Sequence, residues 1–220
     1  MISSTIRYKY IKMLVNKLYI TLNINSYPID IFKIISNYKN IRLISYSYFM
    51  KKYNLTKEET LSFFSSKEGC TDYLASKNKY IIYYNDFDNK SKKRIYWTIT
   101  HELGHILCEH YSKNTKIFAG LLSDDDYSLK ESEANYFACL LLSHPAILLQ
   151  LNIRSPYDIE VYCSLSHQAA IYRFNNYQKW YKYKILTSSD RFIIRNFEDY
   201  INSKNEDYKF HLEFIQAFHR

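Results

Sequence analysis

The stretch His101-Glu102-Leu103-Gly104-His105 decides how the rest of this chain is interpreted. In an α-helix, residues four positions apart lie on one face, with about 5–6 Å between their Cβ atoms. His101 and His105 can therefore bind one metal ion together, and Glu102 can reach a water bound to that ion. Two histidine ligands followed by a glutamate general base are typical of metalloproteases. The stretch predicts a metal-binding helix with a hydrolytic site.

Length and composition limit the classes of protein to consider. A chain of 220 residues fits one large domain, or one domain with an extension. The chain is 47% hydrophobic and 24% charged, which is typical of a folded soluble protein. Its net charge of +8 permits acidic partners, but no run of Lys and Arg is interleaved with aromatic residues as in RNA-binding motifs. We therefore expect a solvated basic surface, with direct nucleic-acid binding unlikely.

The cysteines and the apolar segments indicate where the protein works. Cys70, Cys108, Cys139 and Cys163 form no C-x-x-C pair, so they predict neither a zinc knuckle nor a dense disulfide scaffold. The first 16 residues lack the apolar core of a signal peptide, and no run of 18 apolar residues occurs. These features predict a cytoplasmic protein without membrane association.

A metal held by two histidines needs at least one more protein ligand, with one position left for water. The candidates are Glu131 and Glu133, which cannot face the same direction because helical residues two apart are separated by about 200°. Glu131 lies on the same face as the small residue Ala134 and as Asn135, which could orient a ligand from outside. We expect Glu131 to be the third ligand, with Glu133 as the alternative. The ion would be Zn²⁺, although this ligand set also suits other divalent metals.

Two segments together resemble the ImmA/IrrE family of metallo-endopeptidases: residues 96–106 (YWTITHELGHI) and residues 131–138 (ESEANYFA). Their pairing at this separation is far more specific than either motif alone. Weaker similarity extends the resemblance to about residues 25–180, through the segments 28–30, 80–85 and 164–174. One departure is Leu142-Ser143-His144-Pro145, where the family has a shorter Leu-Met-Pro ending, so the local helix end should differ.

The resemblance implies a small zincin-like α+β domain, mostly helical, with a short three-stranded sheet beside the H-E-x-x-H helix. It implies that His101, His105 and Glu131 are the metal ligands and that Glu102 is the base. It also implies a zinc-dependent endopeptidase whose protein partner is a helix-turn-helix repressor, often one of a mobile element or phage. An alternative is a non-catalytic metal-binding regulator that acts by binding a transcription factor, and a third is a DNA-binding protein.

Sequence patterns before the site predict a series of short elements. Apolar residues recur at helical spacing in residues 6–22, and Pro28 favours the first turn of a second helix. Thr56 and Ser91 are suitable N-caps. The predicted elements are helices at 6–22, 28–38, 56–64 and 91–111, strands at 41–48, 70–75 and 79–85, and a loop at 114–128.

Residues 155–182 form two short helices, opened by Ser155-Pro156 and near Ser166, and resemble a helix-turn-helix. Arg173 could contact phosphates there, although structural packing is the preferred interpretation. We predict a metallopeptidase domain at 1–186 and a C-terminal extension of two amphipathic helices at 187–220. His110 is expected at an exposed turn after the motif helix, and Cys108 as a buried thiol. The other three histidines are expected at surfaces or helix ends; they are His167, His211 and His219.

Overall fold

The computed structural model describes residues 5–87, 90–111 and 124–218, with side chains described up to residue 210. Within these residues the chain forms eleven α-helices and three β-strands, with a short 3₁₀ turn at Ala75–Lys77. The elements in chain order are α1 (Tyr8–Thr21), α2 (Ile31–Ser36), β1 (Ile41–Ser45), α3 (Tyr46–Tyr53), α4 (Lys57–Phe64), β2 (Gly69–Leu74), β3 (Lys79–Tyr84), α5 (Lys92–Leu107), α6 (Asp124–Leu142), α7 (Pro145–Gln150), α8 (Pro156–Cys163), α9 (His167–Tyr181), α10 (Ser188–Asn196) and α11 (Glu198–Phe218).

The three strands form one mixed sheet in the order β1-β3-β2. β1 runs parallel to β3, and β2 runs antiparallel to it. β3 is central because its run of β-branched and aromatic residues suits a strand covered on its faces, and its Ile82 is fully buried. The helix α5 packs against β2 and β3. The prediction of a mostly helical α+β domain, with a three-stranded sheet beside the H-E-x-x-H helix, is confirmed.

The chain divides into two compact units. The first combines the chain up to Lys12 with Asp30–Leu141, and it contains the whole sheet and the helix α5. The second combines Met13–Ile29 with the chain from Leu142 onward. The division at residues 186 and 187 stays a prediction about the family domain, because these units divide the chain at other places.

Local capping signals explain where most helices begin. The side chains of Thr56, Ser91, Ser155 and Ser166 each accept a hydrogen bond from the backbone N–H three residues later. Such bonds satisfy donors that the first helical turn leaves without partners. The helix starts predicted from these residues are confirmed.

Four element predictions were wrong in their bounds, including the helix predicted over 91–111, which ends at Leu107. The helix predicted from Pro28 begins at Ile31, because the Asp30 carboxylate accepts from two backbone N–H groups and caps α2 there. The strand predicted over 41–48 ends at Ser45, whose hydroxyl caps the unpredicted helix α3.

The loop predicted over 114–128 is helical from Asp124 onward. Three consecutive aspartates in the first turn favour a helix N-terminus through its partial positive charge. Residues 114–123 of the predicted loop lie outside the described residues.

The second unit contains the helix pair predicted at 155–182. α8 and α9 pack against each other and are joined through Ser164, which has a left-handed backbone with φ of 55°. Arg173 is buried and donates to the backbone carbonyl and hydroxyl of Ser143, so its guanidinium is engaged inside the unit. The two predicted C-terminal helices are present as α10 and α11, and α10 packs against α7. None of the helices described is both long and apolar enough to cross a membrane.

Candidate metal centre

Three side chains of the first unit meet at one point between α5 and α6. His101 Nε2 and His105 Nε2 lie 3.0 Å apart. Glu131 reaches His101 Nε2 with one carboxylate oxygen at 3.3 Å and His105 Nε2 with the other at 3.2 Å. Each residue therefore offers one ligand atom to the same small volume, and these atoms all lie within 4.8 Å of one another. The structure brings together the three residues that the sequence nominated as ligands.

The geometry of this cluster fits a small divalent ion. Ligand atoms about 2.0–2.1 Å from a tetrahedral zinc ion are separated from one another by about 3.3 Å. The observed separations of 3.0–3.3 Å agree with that spacing. Two histidines and one carboxylate are also a ligand set of catalytic zinc sites, which leave the fourth position open.

The electrostatics of the cluster favour a charged carboxylate. Burial alone would raise the pKa of Glu131, but the adjacent histidines His101 and His105 outweigh burial and hold that pKa far below its ordinary value. Burial alone would lower the pKa of His101, but its hydrogen bond to Glu131 and the nearby carboxylate of Glu102 raise it. The histidines and Glu131 therefore attract one another strongly even before a cation is considered.

Asn135 fixes the orientation of the first histidine. Its side-chain oxygen lies 3.0 Å from His101 Nδ1. Because an amide oxygen only accepts, His101 donates from Nδ1, and with a metal bound its Nε2, the atom that faces Glu131, would present its lone pair to the ion. Asn135 follows Glu131 by one helical turn, so one face of α6 supplies both a carboxylate and the group that orients a ligand.

Gly104 lets α5 and α6 approach closely enough to form the cluster. A Cβ atom placed on Gly104 would lie 3.2 Å from both the Cα atom and the carbonyl oxygen of Ala134, and 3.0 Å from a ring carbon of Phe137. The first two neighbours are backbone atoms, which cannot rotate away. The absence of a side chain at Gly104 is therefore a condition for the distance between these helices.

Glu102 lies beside the cluster in a cleft of about 650 Å³, which is lined by residues of β2 and by the side chains of His105 and Glu131. Glu102 is buried, and its Oε2 accepts a hydrogen bond of 2.7 Å from the Thr71 hydroxyl on β2. This bond holds the carboxylate in one rotamer and leaves its other lone pairs available. The predicted base thus lies where a water in the cleft could reach it.

Glu133, the alternative third ligand, is hydrogen-bonded to Arg7 and not to the histidines of the cluster. It is almost fully buried, and Arg7 donates to its two oxygens from the backbone N–H and from the guanidinium, at 2.6–3.1 Å. Burial would raise the pKa of Glu133, but these bonds and a bond from His110 lower it to about 2. Among the described residues, the cluster that could hold a metal contains Glu131 and does not contain Glu133.

His110 was predicted at an exposed turn, and this prediction was wrong. His110 is 3% exposed, with its Nδ1 atom 2.9 Å from His105 Nδ1 and its Nε2 atom 2.9 Å from Glu133 Oε2. Burial lowers its pKa to about 4, so the ring is neutral near pH 7. The spacing of five residues from His105 was the available signal. It was missed because α5 was expected to run on to Tyr111, whereas it ends at Leu107.

Cys108 and His167 lie in the environments that the sequence predicted for them. Cys108 is fully buried, as expected for a core thiol. The His167 side chain is 73% exposed and lies 3.3 Å from Glu160. His211 and His219 lie outside the side chains that the structure describes.

No curated protein matches this chain. Residues 51–175, more than half of the chain, match the peptidase family M78, described as the IrrE N-terminal-like domain. The match includes α5, α6 and every residue of the three-residue cluster. It begins at residue 51, so it does not include the segment 28–30, which the resemblance to the family had included. The chain therefore belongs to the IrrE N-terminal-like family of metallopeptidases.

Proposed function

We propose that this protein is a zinc-dependent endopeptidase that cleaves, and so inactivates, a helix-turn-helix transcriptional repressor of a mobile element or phage. The observation that carries the peptidase assignment is the position of Glu102 in one cleft with His105 and Glu131, two members of the cluster that His101 completes. The repressor and its genetic context are supported by the resemblance to the ImmA/IrrE peptidases.

Different residues of the site would bind the metal, transfer the proton and position the base. His101, His105 and Glu131 would hold the zinc ion, which when bound lowers the pKa of water and polarises a carbonyl group. The Glu102 carboxylate accepts a proton from the attacking water and then donates it to the leaving amine. Thr71 keeps that carboxylate in place during both transfers, through the hydrogen bond to Oε2.

Two tyrosine hydroxyls could turn from their present partners to stabilise negative charge on the carbonyl oxygen of the substrate: Tyr111 hydrogen-bonds Thr71, and Tyr127 hydrogen-bonds Glu131. Tyr111 and Tyr127 both line the cleft. Burial raises the pKa of each phenol, most strongly that of Tyr111, so both remain protonated donors near pH 7. A neutral donor aimed at a developing oxyanion lowers the barrier to acyl transfer.

The direct test uses the purified helix-turn-helix repressor encoded beside this gene. It is incubated with the wild type, with Glu102→Gln and with Glu109→Gln, in zinc or in excess chelator. Glu109 is an exposed glutamate just beyond the end of α5, so its variant carries the same charge change outside the cleft. We expect cleavage by the wild type and by Glu109→Gln in zinc alone, and none by Glu102→Gln, although that variant still binds zinc.

The same experiment separates the proposal from a non-catalytic regulator. A regulator would bind the repressor stably in both the wild-type and the Glu102→Gln forms and would leave it intact. Normal cleavage by Glu102→Gln would instead retain a peptidase but refute the role given to Glu102. Cleavage that persists in excess chelator would refute the metal centre.

A further inference from the structure

The turn that follows α5 brings His110 back beside His105, the second histidine of the cluster. Glu109 has a left-handed backbone with φ of 62°, its N–H donates to the Ile106 carbonyl, and the N–H of His110 donates to the His105 carbonyl. This pair of bonds is the Schellman arrangement, which brings the second residue after the cap beside a residue in the last helical turn. A hydrophobic contact usually joins those two residues. Here the contact is a hydrogen bond between two imidazole rings.

A buried chain of polar groups continues from His110 away from the cluster. His110 Nε2 contacts Glu133, and the Arg7 guanidinium contacts Glu133 through Nε at 2.9 Å and through its terminal nitrogen at 2.6 Å. The same guanidinium donates to the Cys108 carbonyl at the end of α5. Both His110 and Glu133 are at most 3% exposed. Arg7 thus balances the carboxylate charge and ties the helix end to it.

The direction of each hydrogen bond follows from the chemistry of the partners. Glu133 is paired with an arginine and is ionised, so it only accepts, and His110 must carry a proton on Nε2. A histidine that offers Nε2 to a metal must keep a lone pair there, so His105 carries its proton on Nδ1. Two N–H groups cannot face each other at 2.9 Å, so His105 Nδ1–H donates and His110 Nδ1 accepts.

We propose that His110 is a positioning residue, held by Glu133 and Arg7, which keeps His105 in the tautomer and orientation needed to bind the metal. The inference rests on the metal centre of the proposed function. It gives each histidine of the cluster its own acceptor on Nδ1, Asn135 for His101 and His110 for His105. Groups of this kind orient a ligand and raise its basicity.

Three substitutions separate positioning from simple packing. His110→Ala removes both contacts. In His110→Asn the amide oxygen can replace Nδ1 and accept from His105, whereas in His110→Gln the amide nitrogen can replace Nε2 and donate to Glu133. His167→Ala, a change at an exposed histidine, is the control.

The measurement is the zinc dissociation constant of each apoprotein by competition with a chromogenic chelator, together with its unfolding midpoint in urea without metal. We expect His110→Ala to weaken zinc binding by about 10–100-fold, His110→Gln to weaken it almost as much, and His110→Asn to remain close to the wild type. A packing role predicts the opposite order, because His110→Gln keeps the buried carboxylate paired. Equal zinc affinity in all forms, or better retention by His110→Gln, overturns the proposal.

A second measurement uses only the wild-type protein, so it does not depend on whether a variant folds. In the zinc-loaded wild type labelled with ¹⁵N, we expect a scalar coupling between His105 Nδ1 and His110 Nδ1, with the proton bonded to the His105 nitrogen. A proton on His110 Nδ1, or no coupling, overturns the proposal. The repressor assay tests the peptidase separately from the positioning role of His110. If the zinc affinities follow the predicted order but the repressor is not cleaved, the positioning role is retained and the peptidase activity is refuted. A wild type that binds no zinc overturns both.

Discussion

Replacing Gly104 with alanine tests whether the approach of α5 to α6 sets the geometry of the metal centre. Alanine is about 1 kcal/mol better than glycine in a helix interior, so intrinsic propensity alone predicts a more stable protein. The new Cβ atom, however, would lie 3.2 Å from two backbone atoms of Ala134, whereas carbon atoms in contact prefer about 3.5–4.0 Å. The two helices must therefore separate by a few tenths of an ångström.

The cost of this separation can be worked out from its two parts. Overpacking of a tight contact costs about 1–3 kcal/mol, and the gain in helix propensity offsets about 1 kcal/mol of it, which leaves a net loss of about 0–2 kcal/mol in the free energy of unfolding. Zinc affinity should be more sensitive than stability to this movement, because distances between a metal and its ligand atoms vary by only about 0.2 Å. Glu131 lies one turn from Ala134 on the helix that moves. We expect zinc affinity to fall about tenfold.

The assay measures urea unfolding of the apoprotein and chelator competition for zinc on the same Gly104→Ala preparation. If the variant is more stable by about 1 kcal/mol and binds zinc as the wild type does, the close contact at Ala134 does not constrain the site and the reasoning is refuted.

Three further predictions concern other contacts. Thr71→Val removes a hydrogen bond to the Glu102 carboxylate, worth about 1.5–3 kcal/mol, so kcat for repressor cleavage should fall about tenfold or more while zinc affinity is unchanged. An equal loss of zinc affinity would contradict this prediction. Glu109→Gly relieves a left-handed backbone that costs about 1–2 kcal/mol and raises the entropy of the unfolded chain by about 0.4–1 kcal/mol, so urea unfolding should show a net gain of about 0.5–1 kcal/mol, and a loss would argue against the Schellman turn. Burial would raise the pKa of Glu68, but its lysine and arginine partners outweigh burial and hold the pKa below 4.5. A depressed pKa stabilises the folded state above about pH 4.5 and less as the pH falls through the folded value. Glu68→Gln should therefore be less stable than the wild type at pH 7 by under about 1 kcal/mol, and the difference should shrink as the pH falls below about 4.5.

Features governed by neighbours in the sequence could be predicted from it. The spacing that brings His101 and His105 together follows from helical periodicity, and the starts of α4, α5 and α8 follow from single capping residues. The position of Glu131, rather than Glu133, beside these histidines also follows from periodicity, because the two glutamates face different sides of one helix. Each of these needs only a few consecutive residues to be evaluated.

Features governed by distant residues could not be predicted. Glu133 is hydrogen-bonded to Arg7, which is 126 positions away in the chain. No pattern in the residues around Glu133 predicts that partner. His110 is buried because α5 ends in a left-handed turn at Glu109, a position where glycine would have been the usual signal. The helix α3 was missed because residues 41–48 alternate like a strand, and the cap at Ser45 competes successfully with that pattern.

The position of β2 at the border of the sheet has a consequence for the energetics of the proposed cleavage. Among the described strands β2 pairs with β3 alone, and residues 69–72 line the cleft beside Glu102. Its six residues could align an extended peptide over about 20 Å. A helix-turn-helix repressor offers such a segment only where it is already unfolded or where it opens locally. When opening is fast relative to cleavage, the rate follows the population of the open form, so each 1.4 kcal/mol of added local stability in the target would slow its destruction about tenfold. Selectivity would then depend on the folding free energy of the repressor as well as on its fit to the cleft, and a repressor stabilised by its operator DNA would be cut last.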